Sequence, residues 1–76
     1  MKTNREKILE LHNSGNISYL KDDFLDFAIR ILPPEYTIYL KYRGKREKLI
    51  TKDNETFYNI LCGGEFITKK EYDNFS

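Results

Sequence analysis

Ser18-Tyr19-Leu20-Lys21-Asp22-Asp23-Phe24-Leu25-Asp26-Phe27-Ala28-Ile29-Arg30-Ile31-Leu32 is the stretch on which the fold turns, and its residues suggest one continuous helix. Ser18 can cap the N-terminus, and Pro33-Pro34 would end the helix because proline lacks a backbone donor and clashes with the preceding turn. At about 100° per residue, Leu20, Phe24, Leu25, Phe27, Ala28, Ile29, Ile31 and Leu32 sweep roughly 200° of the helix surface. So wide an apolar arc needs two partners, which places the predicted helix at the centre of the core, with Phe24 and Phe27 among its buried anchors.

Elements on either side supply those partners. Upstream, Thr3 and Glu6 form a capping box, Ile8, Leu11 and His12 share a helical stripe, and Asn13-Ser14-Gly15 stops a helix over residues 4–13. Downstream, Tyr36-Thr37-Ile38-Tyr39-Leu40-Lys41-Tyr42-Arg43 alternates apolar and polar residues and meets a second run, Arg46 to Lys52, across Gly44-Lys45. Glycine as the first of two loop residues suits a type II′ hairpin turn. Beyond the hairpin, Asp53 can cap a helix through Phe57, Ile60 and Leu61 that Gly63-Gly64 closes by supplying positive φ. Phe66-Ile67 follows as a short extended piece. Thr68 and Glu71 form a second capping box for a last helix from Lys69 to Phe75, with Ile67 and Tyr72 at the spacing of a hydrophobic staple. The expected architecture is a single compact α+β domain over residues 1–76, in the order α-α-β-β-α-α, with an antiparallel hairpin packed on helices.

The hairpin also holds the functional signal. With a two-residue turn, Arg43 faces Arg46, Lys41 faces Lys48, Leu40 faces Leu49 and Tyr39 faces Ile50. Tyr36, Ile38, Leu40, Tyr42 and Leu49 would then form the core face. Lys41, Arg43, Arg46, Lys48 and Lys52 would surround Tyr39 and Ile50 on the other. Like charges directly opposed cost a sheet about 0.2 to 1 kcal/mol per pair, so an anionic partner would relieve a burden that folding does not explain. A register with a three-residue loop would dissolve those pairs, but would put glycine first where such loops want it last. Charge that merely keeps an edge strand from aggregating is the plainer alternative.

Composition narrows the classes. Seventy-six residues suffice for one modest core, and a 39% hydrophobic content argues against disorder despite 33% charged residues. Net charge is only +1, but it is unevenly placed. Residues 1–35 hold five basic against six acidic side chains, residues 36–52 six against one, and residues 53–76 two against five. No whole-protein basic field exists to attract nucleic acid, so any such binding must come from the local patch. The single cysteine, Cys62, allows no intrachain disulfide, and no apolar run is long enough to span a bilayer. The start, Met1-Lys2-Thr3-Asn4-Arg5-Glu6-Lys7, lacks an apolar signal segment, so a cytoplasmic setting with no membrane partner is expected. Nine Lys, six Asn and eight Ile with one Ala and no Val are consistent with an AT-rich bacterial, phage or mobile-element source.

Catalysis finds little support. His12 sits in the last turn of a helix, where a cation suits the dipole and an imidazole can pack. Cys62, before a helix C-terminus, reads as a small buried residue with a poorly activated thiol. Asp22, Asp23 and Asp26 read as carboxylates at the positive end of a helix, with Asp26 paired to Arg30, and no metal signature or cofactor site is complete. The same acids disfavour a helix-turn-helix, since they would repel DNA. The expected function is therefore a small non-enzymatic regulator or inhibitor. It would dock through Tyr39, Lys41, Arg43, Arg46, Lys48, Ile50 and Lys52 on the acidic surface of a protein or nucleoprotein complex. Direct nucleic-acid binding by the same face and homo-oligomer formation through the hairpin edge are the competing classes.

Overall fold

The computed structural model describes residues 3–75. Met1 and Lys2, part of the start read above as lacking a signal segment, and Ser76 lie outside them. Helix α1 (Asn4–Asn13) begins at the expected Thr3–Glu6 capping box, with the Glu6 N–H donating to Thr3 Oγ1 at 3.2 Å. The chain then departs from expectation. Ser18–Leu32 is not a helix but a β-hairpin, β1 (Ser18–Asp22) and β2 (Phe27–Leu32), with Leu20 opposite Ile29 and Ser18 opposite Ile31. Strands β3 (Thr37–Tyr42) and β4 (Lys48–Ile50) continue the meander. Helix α2 (Glu55–Gly63) then crosses to the far edge of the sheet, where β5 (Glu65–Phe66) pairs with β1, and α3 (Lys69–Asp73) follows. The result is an antiparallel five-stranded sheet in the order β4-β3-β2-β1-β5.

The physical reason lies in the arc itself. A stretch whose apolar residues spread over more than half a helix surface has no clear helical face, whereas alternate residues from Ser18 and from Phe27 separate cleanly between two faces of a strand. Leu20, Phe27, Ile29 and Ile31 are fully buried on one side, beneath α1 and α2. Tyr19, Ala28 and Arg30 alternate to the other. The acidic residues build the turn that a helix reading ignores. Asp22 Oδ1 accepts from the N–H groups of Phe24 at 2.8 Å and Leu25 at 3.2 Å, and Asp26 takes a left-handed backbone with φ 57°. Aspartate tolerates both roles better than most residues.

The core between the sheet and the two longer helices contains Ile8, Leu20, Phe27, Ile29, Ile31, Ile38, Leu40, Phe57 and Ile60. A second, smaller cluster on the opposite face packs Ala28 with Tyr72 and Phe75. One polar tie spans nearly the whole sequence: Asn4 Nδ2 donates to the carbonyl oxygens of Gly64 at 2.8 Å and Ile60 at 3.3 Å, satisfying the end of α2 from the start of α1. A side chain at Gly64 would run into Ile60, so this close approach requires glycine. The N-cap of α2 is Asn54 rather than Asp53, and the Thr68–Glu71 box of α3 forms as expected. Cys62 is exposed, contrary to its reading as a buried residue.

The two phenylalanines once grouped as helical core now separate. Phe27 is 0% exposed and Phe24 is 93% exposed. Phe27→Ala is expected to cost about 3 to 5 kcal/mol in urea unfolding, whereas Phe24→Ala is expected to stay within about 0.5 kcal/mol of the parent. A large loss for Phe24→Ala would refute the hairpin.

Candidate functional site

The face of the sheet on which α3 packs and the end where the β1–β2 turn meets the β3–β4 loop gather most of the charged side chains singled out in the sequence. Their arrangement differs from the expected one because the hairpin register differs. Leu40 faces Lys48, Tyr39 faces Leu49 and Ile38 faces Ile50. The turn is not a two-residue loop with glycine first: the Lys45 N–H donates to the Tyr42 carbonyl at 2.9 Å, with Gly44 as the third turn residue at φ 76°. A one-residue slip moves every side chain of the second strand to the opposite face. Lys48 and Ile50 therefore join the face of α1 and α2, where Ile50 packs on the main core, while Leu49 is turned outward and 64% exposed instead of forming core. The direct opposition of Lys41 with Lys48 does not exist.

Tyr39 and Lys41 stay on the outer face, and the cations around them rest on aromatic rings. Lys41 Nζ lies 4.2 Å from the centroid of Tyr72, the Arg30 guanidinium 4.8 Å from Tyr39, and Arg43 4.3 Å from Phe75. Two carboxylates consume part of the charge. Arg43 Nε bonds both oxygens of Asp26, at 2.7 and 2.9 Å. Arg30 donates to Glu47 Oε1 from Nε at 2.8 Å and from Nη2 at 2.7 Å, while the Tyr72 hydroxyl donates to Oε2 at 3.2 Å. The expected Asp26–Arg30 pair is thus replaced by two longer-range pairs. Arg46 and Lys45 are exposed in the loop and make no ion pair among the described residues. Lys48 extends toward Tyr42, 5.8 Å from its ring, near the same end. Lys52 lies away from this group, over Tyr36 at 6.0 Å.

Sequence reasoning missed Phe24 and Leu25, which project from the β1–β2 turn, and the pairing of Arg30 and Glu47. The signal for the first was present: carboxylates at Asp22 and Asp26 bracket the two apolar residues as turn formers would. Elsewhere, Arg5, Leu9, His12, Tyr36, Lys52 and Phe57 line a cleft of about 460 Å³ between α1, α2 and the loop before β3. His12 meets Tyr36 edge-on at 5.0 Å, in keeping with an imidazole that packs. Among the described residues no three of His, Cys, Asp and Glu converge as a metal would require. No helix among them is long and apolar enough to cross a membrane.

Burial, reinforced by the nearby charge of Glu47, holds the Tyr72 hydroxyl in its neutral form well above the ordinary tyrosine value of 10.0. The unfolded chain ionises this group first, so its contribution to stability is complete below about pH 10 and is lost as pH rises further. Tyr72→Phe is expected to cost about 1.5 kcal/mol at neutral pH through the lost hydrogen bond to the Glu47 carboxylate. It should also flatten the fall in stability above pH 10, measured by urea titration at several pH values. An unchanged alkaline slope would contradict this account of Tyr72.

No family model matches the sequence, and no curated protein matches it. A solved structure does. The fold superposes with a TM-score of 0.70 and 30% sequence identity on the immunity protein in the crystal structure of the complex between the Type VI effector Tas1 and its immunity protein, over 75% of this chain and 78% of that one. At that identity and coverage, the chain belongs to the same family as the Tas1 immunity protein.

Proposed function

We propose that this chain is an immunity-type inhibitor that neutralises a toxic effector by occupying its surface, without chemistry of its own. The observation that carries this reading is the shared family and fold with an immunity protein solved in complex with its effector. The charge distribution supplies the docking surface. Its core is the outer face and loop end of the β3–β4 hairpin: Tyr39, Lys41, Arg43 and Arg46, joined by Lys45. Lys48 and Ile50, which the register turns toward the face of α1 and α2, and Lys52, which lies over Tyr36, stand outside this surface.

Glu47 and Asp26 are engaged by Arg30 and Arg43, so the charge that faces outward at the loop is positive. Such a surface fits an acidic partner, and rim cations of this kind act mainly on the rate of association and on the choice of partner.

The test uses the toxin domain of a Tas1-related effector from the same organism, mixed with this protein in calorimetry and in a growth-rescue assay. Wild type is expected to bind and to rescue. Lys45→Glu with Arg46→Glu touches no internal ion pair, so the melting temperature should hold while association slows at least tenfold at low salt. Loss of binding on nuclease treatment would instead favour nucleic acid as the bridge, and concentration-dependent self-association without effector binding would favour the homo-oligomer.

A further inference from the structure

We infer that Phe24, at the tip of the β1–β2 turn, is the anchor of this docking surface and enters an apolar pocket on the effector that is rimmed by carboxylates. This deepens the reading of the chain as an inhibitor and rests on it. Phe24 is 93% exposed, and Leu25 beside it is also exposed, so neither side chain is held by the fold to any great extent. A lone surface apolar residue is unremarkable on most proteins. Here the surroundings distinguish it.

The turn is held rigidly. Asp22 accepts from the backbone N–H of Phe24 itself, the Arg43 N–H donates to the Asp26 carbonyl at 3.2 Å, and the Arg43 guanidinium clasps the Asp26 carboxylate while lying on the ring of Phe75. The exposed phenyl ring therefore stands on a braced platform, and little backbone freedom remains to be lost on binding. Large aromatic residues presented this way are what interfaces use as central anchors.

The charge of the tip names the partner's chemistry. Three aspartates lie in the turn, yet each is engaged: Asp22 with the backbone, Asp23 with Lys21 at 3.3 Å, and Asp26 with Arg43. The adjoining loop, brought alongside by the pairing of Phe27 with Tyr42, contributes Lys45 and Arg46, and its one acid, Glu47, is taken by Arg30. An apolar tip beside unneutralised cations complements an apolar cleft with acidic walls.

The experiment titrates the same effector toxin domain with wild type, Phe24→Ser, Phe24→Leu and a control, Tyr58→Ser, whose exposed ring lies on α2. Wild type and the control should bind alike, Phe24→Ser should bind at least thirtyfold more weakly, Phe24→Leu should fall between, and all melting temperatures should agree. If wild type binds and Phe24→Ser binds within threefold of it, the anchor assignment is wrong while the inhibitor reading stands. If wild type itself fails to bind, both fall. A melting temperature lowered in Phe24→Ser would show that the ring serves the fold and would overturn the assignment.

Discussion

Glu47 is the single acidic residue between positions 36 and 52, and its carboxylate ties together three parts of the molecule. Arg30 of β2 reaches one oxygen and Tyr72 of α3 the other, so the loop between β3 and β4 is fastened to the middle of the sheet and to the last helix at once. Hydrogen bonds to charged groups are worth about 1.5 to 3 kcal/mol where water is partly excluded. They matter here because α3 is only five residues long and could not form alone. Its position rests on Tyr72 and Phe75 packing over Ala28 and on this carboxylate. Once α3 is in place, Tyr72 and Phe75 become the rings on which Lys41 and Arg43 lie.

This network changes what the basic hairpin means. Read as a row of opposed like charges, it looked like a cost borne for the sake of a partner. In the fold the cations are distributed: Arg43 goes to Asp26, Lys41 goes over Tyr72, and Lys48 and Lys52 go to the opposite face. Folding therefore uses a good part of the charge that seemed surplus. The hairpin cations that make neither an ion pair nor a ring contact among the described residues are Lys45 and Arg46 at the loop end, and it is there that a functional reading keeps its force. A solvated cation on an aromatic ring contributes little more than about 0.5 to 1 kcal/mol, so such contacts orient side chains without burying them. They can still be offered to a partner.

The sequence was legible where local chemistry decides. Both capping boxes, the β3 alternation and the Gly15 stop report on a single turn or strand, and each appears where its residues suggest, whereas Gly63-Gly64 ends α2 without a positive φ, Gly64 standing at −72°. Ser18–Leu32 was misread because leucines, alanine and a serine cap satisfy helical expectations one residue at a time, while the alternation of Phe27, Ile29 and Ile31 is only three positions long. Apolar runs this short do not separate helix from strand by periodicity. The arc of roughly 200° was the warning, since an amphipathic helix of this size usually shows a narrower face. The register of β3 against β4 goes with a turn in which Gly44 is the third residue, and the Glu47–Arg30 pair that accompanies it joins residues seventeen positions apart, beyond the reach of local rules. With the register went the face of Leu49, Ile50 and Lys48.

That error also hid the exposed turn. Inside a helix Phe24 has an obvious use, and nothing remains to be explained. On a hairpin the same residue faces solvent while Asp22 accepts from its backbone N–H and Asp26 ties the turn to Arg43, and the fold gains nothing from the ring. Selection for stability alone would favour Asn or Gly at such a position, because turns are cheapest with residues that tolerate their backbone angles and need no burial. A bulky ring fixed at the least shielded point of a small domain is the arrangement expected when burial is completed by a second protein, and the cations on the adjacent loop bias which protein that is.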